Sequence, residues 1–300
     1  MVGFSSELEV GGTLSLPYFN SKQVAFRGED GQVRILDAFC PHLGADLGAG
    51  GKVMGNSIQC PFHHWRFGED GRCVEIPYCE RIPKNSELRA WEVVERNGMI
   101  FLWFSPTGSP PEFEVPVLPN ETEQGWTAWA HSKIRIRTHS REIVENVVDL
   151  AHFSPVHGTV VETFENEFTG HLAIQRAAGT AYPRGGGVDH FRNEATYYGP
   201  GFQISFMDGY MHSMLVNAHT MIDDNTLDLR FGVTVRPREG KTVSPEILDR
   251  YVENLTTGFL EDVRIWENKT YHDTPVLCAG DGPIGKLRRW YAQFYEPPAP

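Results

Sequence analysis

The sequence predicts an α+β chain in which an all-β N-terminal domain precedes a domain built from an antiparallel sheet and helices. Short apolar segments separated by glycine-rich turns fill the first third of the chain. A strictly alternating segment at 226–236 and a long helical pattern at 244–269 follow later. A proline-rich stretch separates the two regions. We therefore expect one domain over residues 1–119 and a second over residues 120–300.

The strands of the first domain are predicted from apolar runs that border turn signals. They are Val33–Asp37, Ser57–Cys60, Trp65–Phe67, Cys73–Ile76 and Gly98–Phe104. The Asp-Gly pair at Asp70 and Gly71 indicates a hairpin between the third and fourth of these. The segment Ser105–Pro111 has the composition of a linker.

The second domain is predicted to combine a half-buried strand with two helices. Apolar and polar side chains alternate along Thr226–Arg236, as in an antiparallel strand with one face in the core. Ser140–Phe153 and Ser244–Lys269 have helical patterns. Ser244 is a favourable N-cap residue, and Pro245 suits the first helical position.

Composition bounds the class of protein. The 300 residues, of which 40% are hydrophobic, suffice for one or two ordinary cores. A net charge of −12 argues against non-specific nucleic-acid binding, which depends on basic side chains. No apolar run is long enough to span a membrane, and the N-terminus lacks a secretory signal. We expect a cytoplasmic protein in which Cys73, Cys79 and Cys278 are reduced packing residues.

Two Cys-His pairs form the first candidate site. Cys40-Pro-His42 and Cys60-Pro-Phe-His63 each offer one thiolate and one imidazole from a tight turn. A [2Fe–2S] cluster with two sulfur ligands on one iron and two nitrogen ligands on the other needs this set. A structural zinc site is one alternative, although zinc sites usually pair Cys with Cys and His with His in short spacings. A Cys40–Cys60 disulfide is another, and it would leave both histidines unexplained.

The segment 146–157 contains a second candidate site. Two His and one carboxylate on one face of an iron ion form the facial triad of non-heme Fe(II) oxygenases, with positions left for dioxygen and substrate. His152 and His157 would supply the nitrogens. Five residues on a regular helix correspond to about 140° of rotation, so we expect Pro155 to kink or end the helix and turn His157 inward. The alternative is a helix end that carries two surface histidines.

The carboxylate ligand is sought on the helix predicted at 244–269. A helical wheel at about 100° per residue places one apolar stripe along Leu248, Tyr251, Val252, Leu255, Phe259, Val263 and Trp266. Asp262 is the acid inside this stripe, whereas Glu261 lies outside it. Because a buried carboxylate needs a cation or a partner, Asp262 is the predicted third iron ligand. A buried salt bridge to an Arg or Lys is the alternative.

Two further polar residues are candidates to support the iron ligands. Asp149 lies one turn before His152, so its side chain is predicted to hydrogen-bond the imidazole and fix its tautomer. Asn146 lies on the same polar face and is a candidate for a similar role. A solvated helix would show the same polar face.

Together, the two motifs resemble those of the oxygenase α-subunits of Rieske non-heme iron oxygenases. In that family N-x-x-D-x-x-H-x4-H supplies two His ligands and E-D-x-x-I-W supplies the Asp, here His152, His157 and Asp262. The resemblance implies a Rieske [2Fe–2S] cluster, a mononuclear non-heme Fe(II) and a ring-shaped homotrimer. Across each subunit boundary, Asp149 would bridge a Rieske histidine, by position His63, to His152.

Within the family, several stretches look most like 3-ketosteroid 9α-hydroxylase oxygenase components. They are Cys60–Arg66, Asp70–Cys73, Asp149–Phe153, Phe259–Asp262 and Leu287–Tyr295. Compared with that family, the chain is expected to start late and to end early, soon after Tyr295. The resemblance implies hydroxylation of a large apolar, steroid-like substrate by O2, with electrons from NAD(P)H through a separate flavin or iron–sulfur reductase.

Other functions remain open at this point. An aryl O- or N-demethylase or a sterol desaturase would use the same metals. A Rieske-type electron carrier would need only the cluster and no second iron site. A zinc-stabilised binding module would need no iron at all. Aromatic and methionine residues are predicted to line a roomy substrate pocket or, alternatively, to form plain core. They are Phe202, Phe206, Met207, Tyr210, Met211 and Met214.

Overall fold

The computed structural model describes residues 1–182, 187–209, 211–238 and 244–295. The chain divides into two compact units, Met1–Leu118 and Pro119–Pro300. The first unit consists of strands and turns, and the second combines one large antiparallel sheet with helices. The predicted α+β fold class is therefore confirmed. No helix in the described part of the chain is long and apolar enough to cross a membrane.

Three small antiparallel sheets make up the first unit. Their strand orders are β1-β11-β10, β2-β3-β4-β9 and β5-β6-β7-β8. The strands are β1 (Gly3–Phe4), β2 (Thr13–Leu16), β3 (Gln23–Arg27), β4 (Val33–Asp37), β5 (Lys52–Met54), β6 (Ser57–Gln59), β7 (Arg66–Phe67), β8 (Cys73–Glu75), β9 (Ala90–Trp91), β10 (Val93–Arg96) and β11 (Met99–Leu102). The five predicted strands are all present, four of them with shorter ends.

The core of the first unit surrounds the two cysteines of the Cys-His pairs. Phe26, Leu36 and Phe67 are fully buried and belong to the same apolar cluster as Cys40 and Cys60. Both sulfur atoms therefore lie in the packed interior, where side chains have little freedom to move.

The second unit is organised around a seven-stranded antiparallel sheet with the order β12-β18-β17-β16-β15-β14-β13. The strands are β12 (Ala130–Ile136), β13 (Val160–Thr169), β14 (Leu172–Ala181), β15 (Asp189–Tyr198), β16 (Phe202–Asp208), β17 (His212–Asp223) and β18 (Thr226–Arg236). Successive strands from β13 to β18 are neighbours, whereas β12 pairs with the far edge of β18. The sheet is thus a long meander closed at one side by its first strand.

Strand β18 has the predicted bounds, but the prediction that one face is exposed is wrong. Asp228, Arg230 and Thr234 on its polar face are as buried as the apolar residues between them. Asp228 accepts a hydrogen bond from Arg135 Nε on β12 at 2.9 Å. Alternation alone does not reveal that both faces of a strand are covered.

Five α-helices lie in the described residues of the second unit. They are α1 (Pro119–Thr122), α2 (Ser140–Val144), α3 (Phe153–His157), α4 (Pro245–Trp266) and α5 (Ile284–Tyr291). Helix α4 follows Ser244 as predicted and ends three residues before the predicted end. Its Val252, Leu255 and Phe259 pack on β18 against Phe231 and Val233. The side chain of Leu248, the first residue of the predicted stripe, lies outside the described part of the chain.

The helix predicted over Ser140–Phe153 is wrong. Helix α2 ends at Val144, a single 3-10 turn covers Glu145–Val147, and α3 begins only at Phe153. Pro155 neither kinks nor ends a helix, because it lies in the first turn of α3, where its missing N–H has no helical partner to lose. The break falls before His152 instead.

Two further sequence expectations need correction. Cys73 is buried, but Cys79 and Cys278 are exposed and are not packing residues. The proposed pocket residues are divided between the two faces of the large sheet. Leu215 packs with α4, so the strand register turns Met207 toward α4 and turns Phe206 and Met214 away from it. Tyr210 lies outside the described residues.

Candidate metal centres

The two Cys-His pairs lie on loops with the same main-chain hydrogen bonds. In the first loop, Gly44 N donates to Cys40 O at 2.9 Å, and Cys40 N donates to Ala45 O at 2.8 Å. In the second, His64 N donates to Cys60 O at 3.2 Å, and Cys60 N donates to Trp65 O at 2.8 Å. The chain therefore folds two sequence-related segments into two equivalent ligand-bearing turns.

The equivalent positions Gly44 and His64 both have left-handed backbone conformations, with φ of 74° and 60°. Glycine adopts this region without steric cost, whereas an L-residue with a side chain loses about 1–2 kcal/mol there. The second loop thus contains local strain that the first avoids. Strain of this kind is typically found at functional sites.

The four candidate ligands of the first site have the chemistry that a [2Fe–2S] cluster requires. Cys40 and Cys60 are buried free thiols, and the imidazole rings of His42 and His63 lie 4.6 Å apart. His42 Nδ1 is buried and has no hydrogen-bond partner. A buried polar atom without a partner is rare, and a metal ligand bond would satisfy it.

The protonation of Cys40 reflects its position in the core. Burial raises the pKa of the Cys40 thiol to about 11; the backbone N–H of His42 opposes the rise, and the neighbouring Cys60 adds to it. The thiolate is the form that binds metal, so cluster binding must displace this proton.

An aromatic contact holds one ligand ring in place. The Trp65 indole stacks on His42 with ring centroids 4.7 Å apart and planes within 5° of parallel. Trp65 Nε1 donates a hydrogen bond to Tyr78 Oη at 2.8 Å. Beside the histidines, Leu43 and Phe62 are exposed by 65% and 59%. An apolar rim therefore surrounds the imidazoles.

The second candidate site is formed by α3 and α4. His152 is the N-cap residue of α3 and His157 is its last residue, after which Gly158 ends the helix in the left-handed region. The two imidazole centroids are 5.3 Å apart. One ligand atom from each of His152, His157 and Asp262 lies within 4.8 Å of the other two. The structure thus brings together the three residues chosen from the sequence, in a group that can hold one metal ion.

The alternative explanation for Asp262, a buried salt bridge to an Arg or Lys, does not fit. Its side chain is 11% exposed, and its Oδ1 lies 3.4 Å from His157 Nε2. Among the described residues, no Arg or Lys forms an ion pair with it. A buried carboxylate that faces imidazole nitrogens is the donor arrangement that non-heme iron uses.

Both histidines have an oxygen atom within hydrogen-bond distance of Nδ1. His152 Nδ1 lies 2.6 Å from the main-chain oxygen of Asp149, and His157 Nδ1 lies 3.3 Å from Glu261 Oε2. Burial lowers the pKa of His157, but the Asp262 and Glu261 carboxylates together raise it above its ordinary value. In the neutral tautomer, each Nδ1–H donates to its oxygen and leaves the Nε2 lone pair for a metal.

The side chain of Asp149 does not form the predicted hydrogen bond to the imidazole of His152. Its carboxylate Oδ2 is 3.7 Å from His152 Nδ1, too far for a hydrogen bond, while its main-chain oxygen takes that role. The carboxylate Oδ1 accepts the His152 backbone N–H at 3.3 Å. Partial burial raises the pKa of Asp149, but the interactions with His152 outweigh it and leave the pKa below its ordinary value. The Asp149 side chain remains 40% exposed.

Asn146 supports the site through a neighbour. Its Oδ1 accepts a hydrogen bond from Trp266 Nε1 at 3.2 Å. Trp266 lies one turn after Asp262, so this bond ties the end of α4 to the segment that leads to His152. Glu261 is the residue that sequence reasoning missed, because a position outside the apolar stripe gives no sign of a functional contact.

A buried polar network joins α2 to strands β15 and β17. Ser140 Oγ is 2.7 Å from His219 Nδ1, and His219 Nε2 is 3.2 Å from Tyr197 Oη. Burial lowers the pKa of His219 to about 3. Burial also raises the pKa of Tyr197, and the charges of Tyr291 and Asp262 add to this rise. No periodic pattern in the sequence indicated this network.

Comparison with known proteins finds related families for both parts of the chain. Residues 1–89 match the Rieske [2Fe-2S] domain family, and residues 102–295 match the 3-ketosteroid 9α-hydroxylase C-terminal domain family. The chain is 41% identical to a probable 3-ketosteroid-9-alpha-monooxygenase, oxygenase component, of Rhodococcus rhodochrous, over 92% of this chain and 74% of the relative. It is 37% identical to the 3-ketosteroid-9-alpha-monooxygenase, oxygenase component, of Mycobacterium tuberculosis, over 92% and 76%.

The fold is shared with more distant solved structures. Dicamba monooxygenase bound to dicamba superposes with a TM-score of 0.77 at 18% identity, over 97% of this chain and 94% of that one. NdmA of Pseudomonas putida CBB5 with caffeine has a TM-score of 0.76 at 19% identity, over 94% and 84%. The chain belongs to the family of 3-ketosteroid 9α-hydroxylase oxygenase components, and it is a Rieske-type oxygenase with a [2Fe–2S] cluster and a mononuclear non-heme iron.

Proposed function

We propose that this protein is the oxygenase component of a 3-ketosteroid 9α-hydroxylase. The observation that carries the proposal is the convergence of His152, His157 and Asp262 within 4.8 Å, in a chain that also contains a Rieske domain. In this proposal the unit of residues 1–119 carries electrons, and the unit of residues 120–300 binds substrate and performs the oxidation.

The proposed ligands follow from the donor atoms. Cys40 and Cys60 hold one iron of the cluster, and His42 and His63 hold the other. His152, His157 and Asp262 hold the mononuclear iron. When bound, the two centres supply single electrons and open coordination positions for O2. The protein chain contributes ligand orientation, a substrate pocket and the exclusion of water.

The substrate is proposed to be a large apolar molecule with a carbonyl group. Gln175 lies on the sheet face that α4 covers, since the register leads from Gln175 through Ala195 and Ser205 to Leu215. Asn217 lies two residues farther on the same face. Gln175 Nε2 and Asn217 Oδ1 are buried and have no hydrogen-bond partner. A buried polar group without a hydrogen-bond partner destabilises the fold, so a ligand that bonds to it is favoured. An amide N–H of Gln175 can donate such a bond to a ketone oxygen.

The partners follow from the oxygenase component's need for electrons. A separate reductase must supply them; we propose one that uses NAD(P)H with a flavin or an iron–sulfur centre. We also propose a homotrimer in which Asp149 bridges His63 and His152 of adjacent subunits. The exposed rim of Leu43 and Phe62 beside the histidines, and the half-exposed Asp149 carboxylate, support contacts of this kind. The free cysteines support a reducing, cytoplasmic location.

The test is an oxygenation assay with a compatible reductase and a panel of 3-ketosteroids and methoxybenzoates. We expect steroid-dependent O2 uptake and a hydroxylated steroid that carries one atom of ¹⁸O from ¹⁸O2. A dehydrogenated sterol without label would support a desaturase instead, in line with the 32% identity to the cholesterol 7-desaturase of Caenorhabditis elegans over 91% of this chain and 71% of that relative. O2 consumption without product across the panel would contradict the substrate assignment.

A further inference from the structure

Two consecutive carboxylates on α4 approach the two nitrogens of a single imidazole. Asp262 Oδ1 is 3.4 Å from His157 Nε2, and Glu261 Oε2 is 3.3 Å from His157 Nδ1. Adjacent residues on a helix point about 100° apart. The pair can therefore reach two edges of a ring that projects between them.

The two carboxylates cannot have the same role. The nitrogens of an imidazole point away from each other, so a metal ion bound at Nε2 lies far from the oxygen at Nδ1. Asp262 belongs to the group of three ligand atoms within 4.8 Å, and Glu261 does not. Asp262 thus lies on the metal side of the ring, and Glu261 on the opposite side.

The two histidines also differ in what holds them. His152 donates its Nδ1–H to a neutral main-chain oxygen, that of Asp149, at 2.6 Å. His157 has a carboxylate in the same position. An anionic acceptor makes the opposite nitrogen more basic and fixes both the tautomer and the plane of the ring. The two imidazoles are therefore not equivalent as ligands.

We propose that Glu261 is a positioning residue of the iron site. Its carboxylate accepts the Nδ1–H of His157 and so holds Nε2 toward the metal. This inference rests on the proposed function, because it takes His152, His157 and Asp262 as the iron ligands. Glu261 lies outside the group of three ligand residues.

The experiment measures Fe(II) affinity in the holoprotein with its cluster intact. The mononuclear iron is removed with a chelator and returned anaerobically in competition with a chromogenic chelator. Glu261→Leu removes the acceptor, and Glu261→Asp withdraws the carboxylate by one methylene. We expect each to raise the Fe(II) Kd about 10- to 100-fold, the usual effect of losing such a partner. Glu261→Gln keeps an acceptor oxygen, so we expect its Fe(II) Kd to stay within about 3-fold of the wild-type value.

Glu253→Gln is the matched control, because Glu253 is an exposed acid on the same helix. Its Kd should equal that of the wild type. The EPR spectrum of the nitric oxide adduct gives a second readout, since a change in the orientation of His157 alters its rhombicity. We expect an altered spectrum for Glu261→Leu and a nearly unchanged one for Glu261→Gln.

The outcomes separate this inference from the proposed function. If wild-type protein binds Fe(II) at the second site and both Glu261→Leu and Glu261→Asp bind it equally well, Glu261 does not position the ligand. If Glu261→Gln loses as much affinity as Glu261→Leu, hydrogen-bond acceptance is not the reason, and the inference also fails. If wild-type protein binds no iron beyond its cluster, the proposed function itself is wrong.

Discussion

Replacement of His219 by Gln should flatten the dependence of stability on pH. His219 is buried between Ser140 and Tyr197, and this burial lowers its pKa in the folded chain to about 3, from an ordinary value of 6.5. Between these two values the unfolded chain binds a proton that the folded chain does not. The stabilisation by neutral His219 is therefore complete above about pH 6.5 and is lost as the pH falls toward 3.

The magnitude follows from the two pKa values. Lowering the pH from 7 to 5.5 protonates about nine tenths of the unfolded imidazole and almost none of the folded one. The corresponding loss in free energy of unfolding is about 1 kcal/mol, from 1.36 kcal/mol per unit of pKa shift. For a chain of this size, a loss of 1 kcal/mol lowers Tm by about 2 °C.

The assay is thermal unfolding of wild type and His219→Gln at pH 7 and pH 5.5. The Gln amide can still form a hydrogen bond to a neighbour. If the substitution lowers stability by the same amount at both pH values, the change in Tm between them is unaffected. We expect the Tm of the variant to fall by about 2 °C less than that of the wild type. His272→Gln, which removes an exposed imidazole, should behave like the wild type. If Tm falls equally in wild type and His219→Gln between pH 7 and pH 5.5, the assignment of a neutral, buried imidazole is refuted.

Three other substitutions test separate parts of the account. Gly44→Ala should destabilise the first unit by about 1–2 kcal/mol, seen as a lower Tm, because φ is 74° there although no atom lies within 4 Å of the new methyl group; an unchanged Tm would contradict the left-handed backbone conformation of Gly44. Trp65→Leu should lower labile sulfide per chain, because it removes the ring stacked on His42, and full cluster content would show that this contact is dispensable. Gln175→Leu should raise KM for 3-ketosteroids about 10-fold by removing one buried hydrogen bond, and an unchanged KM would remove Gln175 from the pocket.

The local part of each site could be predicted from sequence because it depends on short-range geometry. Cys40 with His42, and Cys60 with His63, are each carried by one turn, so their spacing alone indicates a ligand pair. Asp262 could be found because helix periodicity makes an acid on an apolar stripe conspicuous. The structure places Asp262 beside His157, and its role as a ligand stays a prediction.

The remainder depends on tertiary contacts that no local pattern encodes. Helical periodicity over 140–153 did not reveal the break before His152, since the segment is held by packing and by the bond from Trp266 to Asn146. The contact of Glu261 with His157 joins residues more than a hundred positions apart. The burial of both faces of β18 likewise depends on what covers the sheet, which strand alternation cannot show.

The central claim is that one chain carries two different iron centres, and iron counting after substitution tests it most directly. Wild-type protein reconstituted anaerobically should contain about three irons and two labile sulfides per chain, as a [2Fe–2S] cluster and one further iron require. Asp262→Ala should contain about two irons and keep the visible and EPR spectra of the cluster. Two irons in both proteins, or a colourless wild type that contains only zinc, would contradict the account.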